Sequence, residues 1–153
     1  MKDFIHLFSA YDNWANTRIA ERLQREGDNV LDHHVKSSFP SLRLSTAHIR
    51  DATNTWYERI FGEPRLAYDE RIDSLVKMSL VMNDKVRTLD EAQLLEPVHY
   101  ANARGQYQQP RWQLLTHCFN HASYHRGQVI TIMRQLDLAE VPNTDMVAYQ
   151  RLL

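Results

Sequence analysis

The sequence predicts an all-α protein, a four-helix bundle formed by one domain over residues 1–153. Two observations carry this. Only 4 glycines and 5 prolines punctuate the 153 residues, and long stretches repeat apolar residues at three- and four-residue steps, the pattern of helices that bury one face. The length suits a single core and is short for two.

Helix one is expected over residues 4 to 26, where Phe4, Ile5, Phe8, Tyr11, Ala15, Ile19 and Leu23 mark its buried face before Gly27. Ser38 followed by Pro40 gives a start signal for helix two, since proline fits a first turn. Leu42, Ile49, Ala52, Trp56 and Ile60 mark that helix, and Gly62 with Pro64 stops it. The third helix is placed at about 69 to 92 on Ile72, Leu75, Ser79, Met82, Val86 and Leu89, a bundle seam interrupted by one serine.

Residues 96 to 109 are polar around Val98, Tyr100 and Tyr107, which fits either a short hairpin or an irregular loop. Pro110 opens helix four, whose core face carries Trp112, Leu115, Phe119, Ala122, Val129, Met133 and Leu136 out to about Asp137. The tail, Val141 to Leu153, is expected to pack back on the bundle. The polar segments after helices one and three leave room for a crossover connection.

A formal net charge of −1 with interspersed signs offers no field for a phosphate backbone, so no nucleic-acid partner is expected. No apolar run reaches the roughly 20 residues of a membrane span, and Lys2, Asp3 and His6 break any leader-like segment. A cytoplasmic protein with no membrane partner is the expectation. Cys118 is the only cysteine, which suits a reducing compartment.

The 8 histidines are the unusual count. Helix four reads His117-Cys-Phe-Asn-His121-Ala-Ser-Tyr-His125, and residues four apart share a helical face. With His121 at zero on a helical wheel, His125 falls near about +40° and His117 near about −40°, while the apolar arc runs from roughly +80° to +160°. His125 therefore lies nearer the core and His117 nearer water. This favours His121 and His125 as metal ligands and leaves His117 at the rim.

Metal centres with catalytic potential usually take three protein ligands and keep a position open. His48, beside the apolar face of helix two, is the third candidate, with Asp51 placed to hydrogen-bond its ring. His6, His33, His34 and His99 read as ordinary surface histidines. The interval Ala122-Ser123-Tyr124 lacks the glutamate of a HExxH peptidase. Glu96-Pro-Val-His99 has the spelling of a di-iron element, yet it occurs once and outside any helical pattern.

Arg126 falls near about +140°, inside the apolar arc, so its guanidinium needs a buried partner such as Asp145 or another carboxylate. Gly127 suggests close helix packing. Cys118, near about +60°, reads as a small core residue, and Trp14 and Trp56 read as core.

Tyr11-Asp-Asn-Trp14-Ala15-Asn16, Ser38-Phe-Pro-Ser41 leading to His48, Asn120-His121 with His125-Arg126-Gly127-Gln128, and Thr144-Asp145 with Tyr149 and Arg151 together resemble the DinB family. The H-x-x-x-H-R-G-Q string with a histidine about seventy residues upstream is the most specific part. The resemblance implies a four-helix bundle with a crossover, often homodimeric, and three histidines, here His48, His121 and His125, holding nickel, zinc or a similar divalent ion. It also implies thiol-dependent transferase or isomerase activity with a low-molecular-weight thiol as cosubstrate.

The expected function is that of a metal-dependent transferase or hydrolase acting on a small electrophile. A non-catalytic metal-binding stress-response protein and a metal-free helical interaction module are the alternatives.

Overall fold

The computed structural model describes residues 1–153. Four long helices form the bundle: α1 (Lys2–Leu23), α3 (Leu42–Phe61), α4 (Asp73–Arg87) and α6 (Arg111–Gln135). Three short helices, α2 (Asp28–Leu31), α5 (Glu91–Leu95) and α7 (Met146–Gln150), and a hairpin of β1 (Pro97–Asn102) with β2 (Gly105–Pro110) join and flank them. The structure thus takes the hairpin alternative for 96–109, antiparallel with Tyr100 opposite Tyr107. No helix is long and apolar enough to cross a membrane.

Both α1 and α3 pack on α4 and α6, so α1 faces α3 across one diagonal and α4 faces α6 across the other. Cross-helix contacts fix the directions. Asn13 of α1 accepts from Ser79 Oγ of α4 at 3.0 Å, and His6 Nε2 meets the Leu89 carbonyl, so these helices are antiparallel. Phe8 packs on Phe119 and Asp12 pairs with Arg126, which makes α1 and α6 parallel. Arg50 donates to Ser74 Oγ and Lys85 lies over Phe61, which makes α3 and α4 parallel. The order is up-down-down-up.

Two parallel consecutive helices require a connection that runs the length of the bundle, and residues 62–72 supply it. Gly62 closes α3 in the left-handed region at φ 68°. The chain then returns along α3, with Asn54 bonded to both backbone groups of Leu66 and Arg50 donating to the Asp69 carbonyl. The crossover therefore lies between helices two and three, not in the polar segments after helices one and three; those cross the bundle diagonally. For the same reason the third helix begins at Asp73 rather than near 69. It ends at Arg87, because Asp90 and Gln93 form a capping box that starts α5 afresh.

Helix two starts later than expected. Ser41, not Ser38, caps α3 by accepting from the Leu44 amide, and Pro40 stands before the cap instead of in the first turn. The tail packs back as expected, along α1: Tyr11 donates to the Thr144 carbonyl at 2.7 Å, and Arg18 and Arg22 donate to the carbonyls of Asn143 and Ala139. Two apolar clusters fill the interior, one around Phe119, Met82 and Ile5, the other around Ile49, Leu75 and Val129. Phe4, expected on the buried face, is 51% exposed.

Candidate metal centre

Periodicity places His121 and His125 on one stripe of α6, and antiparallel packing of α3 on α6 carries His48 to the same level. The Nε2 atom of His125 lies 3.1 Å from Nε2 of His48 and 3.1 Å from Nε2 of His121. The ligating atoms of these three residues all lie within 4.8 Å of one another, and no fourth histidine, cysteine or carboxylate joins the group. His125 is buried and the other two are half-buried.

The spacing can be compared with what one ion needs. Imidazole nitrogens at about 2.0–2.1 Å from a metal stand roughly 3.3 Å apart in tetrahedral and roughly 2.9 Å apart in facial octahedral geometry. The two 3.1 Å separations fall between these values. The donor set is all imidazole, which suits zinc, nickel, copper or iron. These residues could hold a divalent transition-metal ion.

Each ring is held by neighbours. Gln128 Oε1 lies 2.8 Å from His125 Nδ1, which keeps the proton on Nδ1 and leaves the Nε2 lone pair facing the cluster. Phe39 stacks on His48, with centroids 3.9 Å apart, and meets His125 edge-on at 5.6 Å. Asp51 does not hold His48. It accepts from Arg50 Nε at 2.7 Å and reaches the imidazole only as a nearby charge.

Burial, then the neighbouring His125, lowers the His48 pKa, which Asp51 partly offsets. Burial and the adjacent His125, His48 and His117 push His121 down to about 4. Both rings are therefore neutral near pH 7, the form a metal requires.

His117 lies outside the cluster, exposed, its ring 6.1 Å from that of His121 and 4.9 Å from that of Trp56. The wheel order of core, middle and rim for His125, His121 and His117 thus holds. Trp56 is half-buried and packs against Tyr100, Arg59 and His117, and Trp14 is half-buried against Tyr149. His33, His34 and His99 are exposed, but His6 is a half-buried α1 residue. Glu96 pairs with Arg111, so the di-iron spelling forms no site.

Arg126 is buried, as its wheel position requires, but its partner is Asp12 and not the exposed Asp145. Its guanidinium also donates to Asn16 Oδ1 at 3.0 Å and Ser123 Oγ at 2.8 Å, and lies over the Tyr11 ring. The Tyr11-to-Asn16 string therefore supplies the buried end of the arginine that follows His125. Gly127 does not serve close packing: a Cβ there would meet no atom within 4 Å. Cys118 is fully enclosed, and burial pushes its thiol far above the ordinary range, so it is no nucleophile.

Sequence reasoning missed Phe39 and the holding role of Gln128. The second had a readable signal, since a carboxamide three residues after a candidate ligand histidine shares its face. The first shows no periodicity, as a loop residue, and its one signal was its place in the Ser38-Phe-Pro-Ser41 string ahead of His48.

Fold and site define a class: a four-helix bundle with a three-histidine group suited to one metal ion. The DinB family profile matches residues 1–152, and the chain belongs to the DinB family. It is 28% identical over 164 aligned residues to Protein DinB of Bacillus subtilis (strain 168), covering 97% of this chain and 95% of that protein.

Proposed function

We propose that this protein is a metal-dependent enzyme in which His48, His121 and His125 hold one divalent ion, nickel or zinc, at an open site. The proposed reaction is transfer of a low-molecular-weight thiol to a small electrophile, or hydrolysis of one. The observation that carries the reading is the approach of His125 Nε2 to the Nε2 atoms of both other histidines, with only three ligating residues in the group. A structural site would be closed by four ligands.

A divalent ion held by neutral imidazoles keeps its positive charge and would favour the anionic form of a thiol or water near pH 7. The protein's own part is orientation. Gln128 holds the proton on His125 Nδ1, Phe39 fixes the plane of His48, and burial keeps His121 neutral. Trp56 meets His117 edge-on on the side of His121 away from His125. The assembly proposed is a cytoplasmic homodimer, which sedimentation equilibrium would check as twice the chain mass.

The test is metal content of untagged protein, followed by turnover of electrophiles with small thiols before and after His121→Ala. The expected result is about one ion per chain, with loss of both ion and turnover in the variant. Turnover indifferent to metal and to His121 would remove the proposal. Bound ion with a closed four-ligand shell and no turnover would move the protein to the non-catalytic class.

A further inference from the structure

A cavity of about 250 Å³ opens beside the histidine cluster. Tyr124, Gly127, Gln128 and Thr131 of α6 line it together with Lys36 and Ser37 from the segment before α3. On α6, Gln128 lies beside the stripe of His121 and His125, and Tyr124, Thr131 and Gly127 follow progressively further round the helix. The cavity and the cluster share two parts: Gln128, which holds His125, and the segment whose Phe39 lies on His48.

Three features of the cavity bear on what it could take. A glycine inside a helix is destabilising relative to alanine, yet neither packing nor capping demands one at Gly127, which sits well within α6 beside open space. Lys36 is exposed and enters no ion pair. No acidic residue lines the cavity to neutralise that ammonium. The larger groove between α1 and the tail is different: Arg25 is paired with Glu140, and Arg18 and Arg22 are occupied by backbone carbonyls.

One exposed ammonium beside neutral hydroxyl and carboxamide groups suits a singly charged anion, which it would meet as a point charge. We infer that this cavity anchors the carboxylate of a small ligand whose other end reaches the metal centre, and that Gly127 leaves the room it needs. From His125 to Thr131 the helix rises about 9 Å, so a ligand of two or three peptide units spans both places. The far end of the ligand rests on the metal-site proposal. The carboxylate end does not.

The experiment uses succinate and S-methylglutathione, which carry carboxylates and no free thiol, titrated into ¹⁵N-labelled protein in zinc-loaded and chelator-treated forms. Saturable shifts are expected at the amides of Lys36, Ser37, Gly127 and Thr131 in both forms. Affinity should fall roughly tenfold in Lys36→Met, the equivalent of one charge-assisted contact. In Gly127→Leu binding should be lost while Tm stays at or above that of the unsubstituted protein, an outcome a structural glycine would not give. Shifts that persist in protein unable to retain zinc would support the anchor while removing the metal reading. No saturable shift at these amides with either probe, unchanged affinity in both variants, or a lower Tm in Gly127→Leu would overturn the inference.

Discussion

Replacing Gln128 with leucine separates the geometry of the cluster from its ligand count. The side chain keeps its bulk but loses the oxygen 2.8 Å from His125 Nδ1. That bond does two things: it selects the tautomer with a free Nε2 lone pair, and it stabilises the positive charge an imidazole gains on binding a cation. A neutral hydrogen bond contributes about 0.5–1.5 kcal/mol net, and one to a charged group about 1.5–3 kcal/mol. Gln128 is half-buried, so water can replace part of the loss, and about 1.5 kcal/mol, or roughly a tenfold weaker zinc affinity, is the expected cost. Competition with a chromophoric chelator at pH 7 measures it, with far-ultraviolet circular dichroism as the fold control. Gln128→Glu keeps an acceptor and should bind at least as tightly as the unsubstituted protein. Zinc affinity in Gln128→Leu within twofold of the original would refute the claim that this contact prepares His125.

Two further outcomes follow from buried charge and from titration. Arg126→Ala leaves the Asp12 carboxylate buried without its partner and should cost about 3–5 kcal/mol, a fall in Tm of roughly 6–20 °C for a chain of this size; Asp12→Leu with Arg126→Met should recover most of that, and a single variant that melts with the original would contradict the pairing. In chelator-treated protein the His121 pKa is pushed down to about 4, below the ordinary histidine value of about 6.5. The unfolded chain therefore binds more protons between these values, so stability present above about pH 6.5 should be lost as pH falls towards about 4. Tm read across that window should fall less steeply in His121→Leu, whereas an unchanged slope would show that the imidazole ring is not held neutral by the fold.

The long helices were legible because burial of one face imposes a period, and a period survives in any single sequence. Their junctions were less so. Residues 69–72 continue the pattern of α4, since Ile72 is buried, yet they are the turn that ends a return along α3, and that return exists because α3 and α4 run parallel. Ser79 looked like a fault in the seam, and it bonds Asn13 of the facing helix. Direction and neighbour are relations between distant segments, and no local pattern encodes them. The site was legible in the same measure: the wheel ranked His125, His121 and His117 by depth, but the stacking of Phe39 depends on how an irregular segment crosses the end of α6 and α3.

Arg126 joins the two kinds of information. Its wheel position requires burial, and burial requires a carboxylate, but the choice between Asp145 and Asp12 turns on whether the tail or α1 lies against α6. The parallel packing of α1 on α6 brings Asp12 and Asn16 to the level of Arg126. An arginine bonded to Asp12, Asn16 and Ser123 and covered by Tyr11 resists rotation of α6 about its own axis. His125 precedes it by one residue, roughly 100° around the helix, so fixing the arginine towards α1 turns His121 and His125 towards α3. The buried ion pair therefore acts on the histidine cluster through the azimuth of one helix, and losing it should disturb the approach of His48 as well as the stability of the bundle.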